Sequence, residues 1–129
     1  MIENLALIID DDPTVTELLT LAVETTLGCK VITAINGEIG LYEARKQKPD
    51  FILLDWIMPE MSGLQVLDEL AENEETVNIP VYMITRKATV EDARRARASG
   101  AVGYYMKPLQ FDHLCSWLAE KFPDLAETR

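Results

Sequence analysis

Cysteine is scarce in this sequence: among 129 residues there are only Cys29 and Cys115. They lack the CxxC spacing of a redox or zinc pair, and a chain of this length can bury enough core to dispense with a disulfide. Both are expected to be free thiols. Histidine is scarcer still, with His113 alone, so a histidine-based metal cluster is excluded and a phosphohistidine relay within the chain is not expected. No apolar run approaches the roughly 18 residues that a membrane span needs. The opening Met1-Ile2-Glu3-Asn4 has neither a basic flank nor a small-residue cleavage site, and the expected location is the cytoplasm. An excess of basic charge is also missing. Twelve Lys plus Arg stand against 22 Asp plus Glu, a net charge of -10, which argues against general attraction to nucleic acid or an anionic membrane and favours a metal cation. No GxGxxG follows the first apolar run and no GxxxxGK[ST] occurs, so the usual phosphate-cradling glycine loops of nucleotide-binding domains are absent.

What the sequence does contain is the composition of one globular domain over residues 1–129, with 48% hydrophobic and 26% charged residues. Its apolar residues change period repeatedly. Leu5 to Ile9, Phe51 to Leu54 and Val81 to Ile84 are continuous apolar runs, which suit strands buried on both faces. Lys30 to Ala34 and Ala101 to Met106 read as two further strands. Between them lie helical patterns. Asp12-Pro13 is a cap followed by Pro at the first helical position, and Val15, Leu18, Leu19, Ala22, Val23 and Leu27 then recur at helical spacing up to Gly28. Asn36-Gly37 reads as a turn before a helix from Glu38 to Lys46, ended by Pro49. A loop with Pro59 and Gly63 leads into a helix carrying Leu64, Leu67 and Leu70. A fourth helix runs from Val90 to Ser99 and stops at Gly100, and a fifth carries Phe111, Leu114, Cys115 and Leu118. Five strands alternating with five helices through short connections imply a three-layer α/β domain, an open parallel sheet with helices on both faces.

In such sheets ligands bind beyond the carboxyl ends of the strands, where the strand order reverses. The first strand ends in Asp10-Asp11-Asp12, the third in Asp55, the fourth in Thr85 and the fifth near Lys107. Capping the first helix accounts for Asp12. If Asp10, Asp11 and Asp55 sit about 5 Å apart, each pair repels by about 3 kcal/mol at an effective dielectric near 20, and the three together by about 10 kcal/mol. Total stability is only about 5–15 kcal/mol, so Lys107, proton uptake or a bound cation must offset the repulsion. All-oxygen donors point to a hard ion shared with a phosphoryl group, Mg2+ above Zn2+. Within that site Asp55 can act as a carboxylate nucleophile that forms an acyl phosphate. Asp11 and Asp10 would hold the ion, Thr85 would donate its hydroxyl to one phosphoryl oxygen, and Lys107 would pair with another.

These residues and their spacing resemble a response-regulator receiver domain of the chemotaxis and sporulation regulator type, over essentially the whole chain. The resemblance is carried by Ile8-Ile9-Asp10-Asp11-Asp12-Pro13, by Leu53-Leu54-Asp55-Trp56-Ile57-Met58-Pro59 with Gly63, by Ile84-Thr85, by Gly100-Ala101, and by Gly103-Tyr104 with Lys107-Pro108. Asp55 lies 45 residues after Asp10, Thr85 30 after Asp55, and Lys107 22 after Thr85. The resemblance implies a flavodoxin-like (βα)5 domain with strand order 2-1-3-4-5. It implies transfer of a phosphoryl group to Asp55 from a phosphohistidine on a sensor histidine kinase or histidine phosphotransfer protein, with Mg2+, or alternatively Mn2+, as cofactor. The backbone carbonyl of Ile57 would complete the metal shell, and Lys107-Pro108 would be cis. Movement of Thr85 would let Tyr104 turn inward and switch the surface of the fourth helix, fifth strand and fifth helix toward a downstream protein. Such a domain assists its own phosphorylation and slow dephosphorylation and is not a turnover enzyme. It would act as a monomer or weak dimer.

Several residues depart from the family pattern. Arg86 replaces the small residue usual after the threonine, placing a long cation beside the phosphoryl entrance, where it could gate donor access or contact the phosphate. Ile57 and Lys87 flank the path of a hydrolytic water in this family, and neither offers a carboxamide or carboxylate to orient it, so slow self-dephosphorylation is expected. Val102-Gly103 stands in place of the acidic pair of receivers that dimerise through the fourth helix and bind DNA. The chain ends at Arg129 soon after the fifth helix, so output by protein contact or onward phosphate transfer is expected, without an effector domain. Arg94, Arg95 and Arg97 form a solvated basic face or a docking contact. Two other functions compete: a phosphorylation-independent interaction module on the same fold, which Arg86 favours, and a small Mg2+-dependent phosphatase with an aspartyl nucleophile. The latter usually carries an acid two residues after the nucleophile, where this chain has Ile57.

Overall fold

The three continuous apolar runs form the middle of a single five-stranded sheet. The computed structural model describes residues 4–86 and 89–127. Its strands are β1 (Leu5–Ile9), β2 (Lys30–Ala34), β3 (Phe51–Leu54), β4 (Val81–Thr85) and β5 (Gly103–Met106). They pair in parallel in the order β2-β1-β3-β4-β5. Alternate side chains leave opposite faces, as strand geometry requires. Leu7, Ile9, Ile52, Leu54, Val81 and Met83 enter one core layer, and Ala6, Ile8, Phe51, Leu53 and Ile84 the other.

Helices cover both faces. The first layer is closed by α2 (Gly37–Gln47), α3 (Gly63–Glu72) and α4 (Val90–Ala98), which contribute Leu41, Ala44, Val66, Leu67, Leu70 and Ala96. The second is closed by α1 (Pro13–Leu27) and α5 (Phe111–Lys121), with Leu19, Ala22, Val23, Leu27, Leu114 and Leu118. This is the flavodoxin-like three-layer arrangement expected from the sequence. A short α6 (Pro123–Glu127), which the sequence reading did not anticipate, sends Leu125 and Ala126 against the second layer.

Local chemistry sets the boundaries. Asp12 caps α1 by accepting the Thr14 N–H at 2.9 Å, with Pro13 at the first turn. Asn36-Gly37 is the start of a helix and not a separate turn, because the Asn36 side chain accepts the Ile39 N–H at 2.9 Å and draws Gly37 into α2. That helix ends at Gln47, where Lys48 turns left-handed at φ 49°, ahead of Pro49. β5 begins at Gly103 instead of Ala101. The amide of Gly100 bonds the Arg97 carbonyl and that of Ala101 the Ala96 carbonyl, a paired helix ending that takes both groups out of the sheet ladder. Gly100 makes this ending possible with φ 114°, and α4 accordingly stops at Ala98, one residue before the expected Ser99.

The fold holds Asp55 in place partly through Gly63. The Gly63 amide donates to the Trp56 carbonyl at 2.7 Å, drawing the first turn of α3 against the segment that follows β3. A Cβ at Gly63 would collide with the Asp55 carbonyl oxygen and lie 2.7 Å from the Trp56 Cα. Both obstacles are backbone and neither can rotate away. Gly63→Ala is therefore expected to lower the unfolding free energy by about 2–3 kcal/mol, read by urea denaturation. Gly100→Ala, with nothing within 4 Å of the added carbon, should cost only about 1 kcal/mol from its backbone conformation.

Candidate functional site

Three strand ends bring the chemistry together. Beyond β1, the Asp10 amide donates to the Ala34 carbonyl at 3.1 Å, and beyond β3 the Asp55 amide donates to the Ile9 carbonyl at 3.0 Å. The ladder thus continues one residue past each strand and fixes both carboxylates at adjacent positions. Just past β5, the Lys107 amide donates to the carbonyl of Thr85 at the end of β4 at 2.8 Å, which brings the lysine to the same edge. Lys107-Pro108 is cis, in agreement with the resemblance.

The resulting geometry is tight. Lys107 Nζ lies 3.0 Å from Asp10 Oδ2 and 3.5 Å from Asp55 Oδ2. The other Asp10 oxygen accepts the Asp12 amide at 2.9 Å. Asp55 accepts the Thr85 hydroxyl and the Ile57 amide. Asp10, Asp55 and Thr85 are 2%, 5% and 0% exposed, whereas Asp11 is open to solvent. One carboxylate oxygen from each of Asp10, Asp11 and Asp55 falls within 4.8 Å of the others. Asp12 also reaches the rim, so its capping role does not remove it from the cleft.

The electrostatics follow from this crowding. Burial pushes the Asp10 carboxyl above the ordinary carboxylate range; the hydrogen bonds from Asp12 and Lys107 and the lysine's charge act against it. Burial also raises Asp55, with the nearby Asp10 charge adding to the effect, while Lys107, Thr85 and the Ile57 amide pull it back. Lys107 alone does not neutralise the cluster, so the site has a standing preference for protons or a cation. Three hard oxygen donors within mutual reach fit a divalent ion such as Mg2+. The cleft above them measures about 230 Å3 and is lined by Asp10, Asp11, Asp12, Asp55, Ile57, Arg86 and Lys107.

Every residue singled out at the strand ends therefore reaches this edge. Tyr104 sits on β5, half-buried against the α2–α3–α4 layer. Its hydroxyl is pushed up to about 12 by burial, then by the charges of Asp92 and Asp55, which connects it electrically to both α4 and the acid cluster. Lys87 lies outside the described residues. One contact has no signal in the sequence. The Arg95 guanidinium of α4 lies 5.9 Å from the ring centre of Trp56, which is 5% exposed and adjoins Asp55; the helical phase of α4 sets this contact, and no motif signals it. Arg86 lines the acid cleft, beside the phosphoryl entrance where the sequence puts it, and also a neighbouring groove that the sequence does not signal.

Comparison with known proteins agrees with this geometry. The family profile described as "Response regulator receiver domain" matches residues 6–119. Protein PilH of Pseudomonas aeruginosa is 38% identical over 108 residues, covering 84% of this chain and 88% of that protein. The probable transcriptional regulatory protein TcrX of Mycobacterium tuberculosis is 34% identical over 108 residues and 84% of this chain. The chain spans 45% of TcrX and 44% of the Synechocystis transcriptional regulator RpaA, less than half of each. Among solved structures, the chemotaxis protein CheY4 of Vibrio cholerae superposes with a TM-score of 0.84 at 25% identity, over 92% of this chain and 98% of that one. A match of this breadth shows the family: the chain belongs to the response regulator receiver domains, the signalling modules of two-component systems.

Proposed function

We propose that this receiver accepts a phosphoryl group on Asp55 from a phosphohistidine of a sensor histidine kinase or histidine phosphotransfer protein. The observation that carries the reading is the position of Lys107, whose ammonium lies within 3.5 Å of both buried carboxylates, Asp10 and Asp55. A lysine with a side chain only 9% exposed is held at the one point where a phosphoryl oxygen on Asp55 would need a cation. In the transfer, an Asp55 carboxylate oxygen attacks phosphorus, the P–N bond to the donor imidazole breaks, and the imidazole leaves with the electron pair and is protonated. Asp10, Asp11, Asp55 and the Ile57 carbonyl are the groups that would hold Mg2+ or Mn2+, which when bound supplies charge neutralisation at the phosphoryl oxygens.

The chain's own groups do the rest. Lys107 pulls the Asp55 carboxyl back against the burial that raises it and offers its charge to the incoming group. Thr85 donates to Asp55 in the present structure; after phosphorylation its hydroxyl turns to a phosphoryl oxygen instead. That withdraws it from the side on which Tyr104 packs and lets the ring move inward. The exposed apolar residues Val90, Val102 and Met106 lie on α4, before β5 and at its end, where the change would be read by a downstream protein. Ile57 lines the cleft at 55% exposure and has no group to orient an attacking water, which favours a long-lived acyl phosphate.

Three measurements test this reading. Mg2+ followed by beryllofluoride or a small phosphodonor should change Trp56 fluorescence in a Trp117→Phe background, and Asp55→Asn should abolish both that response and the phosphorylated species. Absence of any response in the parent protein rejects the proposal. Ile57→Asn should hasten decay of the phosphorylated protein by about tenfold, below the roughly 10²–10⁴-fold of a general base because a carboxamide orients the water without taking its proton, and an unchanged decay rate would show that water orientation is not limiting. The third concerns pH. Since Asp10 and Asp55 are raised above 3.8 in the folded protein, the native state holds protons that the unfolded chain has released. The resulting stabilisation is full in acid and is lost as pH climbs through the raised values. Without divalent ions, Asp55→Asn should therefore be more stable than the parent at pH 7 by about 1–2 kcal/mol in urea melts. Added Mg2+ should shrink that gap by stabilising the parent alone.

A further inference from the structure

Arg86 follows Thr85 at the carboxyl end of β4 and is exposed. It stands between two adjoining hollows. On one side is the acid cleft, which it lines with Asp55 and Lys107. On the other is a groove of about 390 Å3 walled by Val15 and Leu18 of α1 and by Pro108 and Leu109. Lys107 is the other cation shared by the two hollows, but its circumstances differ. Its side chain is 9% exposed and already engaged by Asp10 and Asp55, whereas Arg86 sits at the solvent side of the cleft.

We propose that Arg86 is a second cationic arm of the phosphoacceptor site, closing over a phosphoryl group on Asp55 and gripping its outward oxygens with the guanidinium fork. The inference rests on Asp55 being the phosphoacceptor. The balance of charge in the cleft requires such an arm. In the unmodified site with a divalent ion bound, the three clustered carboxylates of Asp10, Asp11 and Asp55 are matched by the ion and Lys107, while Asp12 at the rim carries the same charge before and after phosphorylation and does not enter the difference. Phosphorylation replaces the single charge of Asp55 by about two, leaving one negative charge that the ion and Lys107 do not cover. Among the described residues Arg86 is the remaining cation lining this cleft. Its attraction is therefore differential: it is stronger for the phosphorylated state than for the unmodified one, which is the condition for shifting an equilibrium. A guanidinium also matches the geometry of phosphoryl oxygens in two parallel hydrogen bonds, which an ammonium cannot do.

The same balance predicts opposite effects on the two ligands of the site. Calorimetric titration of the full chain with Mg2+ alone, and then with beryllofluoride at saturating Mg2+, should separate them. Arg86→Ala is expected to weaken beryllofluoride binding about fivefold, a bidentate contact discounted for solvent exposure. Its affinity for Mg2+ alone should hold or tighten by up to about twofold, since a like charge has been removed. Arg86→Lys should recover part of the loss. Wild-type beryllofluoride affinity in Arg86→Ala overturns the proposal and leaves the phosphoacceptor reading intact. Parallel loss of Mg2+ and beryllofluoride affinity also overturns it, because Arg86 would then be supporting the loop and not the phosphoryl group. If the wild-type protein binds neither ligand, the phosphoacceptor reading fails and this inference fails with it.

Discussion

Two carboxylates that repel one another are held side by side at the mouth of the sheet, and the rest of the site follows from that constraint. Asp10 and Asp55 are there because the ladder of β1 with β2 and β3 runs one residue past the strands, so their separation is set by backbone hydrogen bonds and cannot relax. Neither can turn out to solvent, being 2% and 5% exposed. The protein answers with a buried lysine, three backbone and hydroxyl donors and carboxyl groups raised above their ordinary range. What remains uncompensated is negative charge beside a cleft, which is a specification for a cation and for whatever anion that cation can carry.

The cost of that arrangement is met elsewhere in the fold. The strands that position the carboxylates are buried on both faces, with Ile8, Ile9, Ile52 and Leu54 fully enclosed. Each such side chain contributes about 1.5–3 kcal/mol, so two packed layers can sustain a few kcal/mol of repulsion at one edge. Among the described residues no buried side-chain nitrogen or oxygen lacks a partner. The strain is therefore electrostatic and confined to the cleft, where a ligand can relieve it, and is not distributed through the core.

This division explains what could be read from the sequence. The buried strands are legible because a strand enclosed on both faces must be apolar throughout, and the acids are legible because they interrupt those runs at their carboxyl ends. The order of the strands and the assembly of Asp10, Asp11, Asp55, Thr85 and Lys107 follow from those two signals and the resemblance. Features set by one local hydrogen bond were not legible. The start of β5 depends on the Gly100 ending of α4, and the start of α2 on the Asn36 cap. α6 has five residues, too few for a periodic pattern to declare itself. Gly63 looks like an ordinary loop glycine until the Asp55 carbonyl is seen beneath it, and the placement of Arg95 over Trp56 needs the rotation of α4 about its axis.

That last contact bears on how the site communicates. α4 is the most lightly anchored of the helices around the sheet, since Ala96 is its only buried residue, while α1, α2 and α3 bury four each. Low burial means a low free energy for displacement. Two of the links between α4 and the cleft are sensitive to charge at Asp55: Arg95 over the ring of Trp56, the next residue, and Tyr104, whose hydroxyl feels both Asp92 of α4 and Asp55. An added negative charge at Asp55 strengthens the pull on Arg95 and holds the Tyr104 hydroxyl still more firmly in its protonated form. The helix least able to resist is thus the one wired to the site, and this follows from where the apolar residues are missing as much as from where the charged ones are placed.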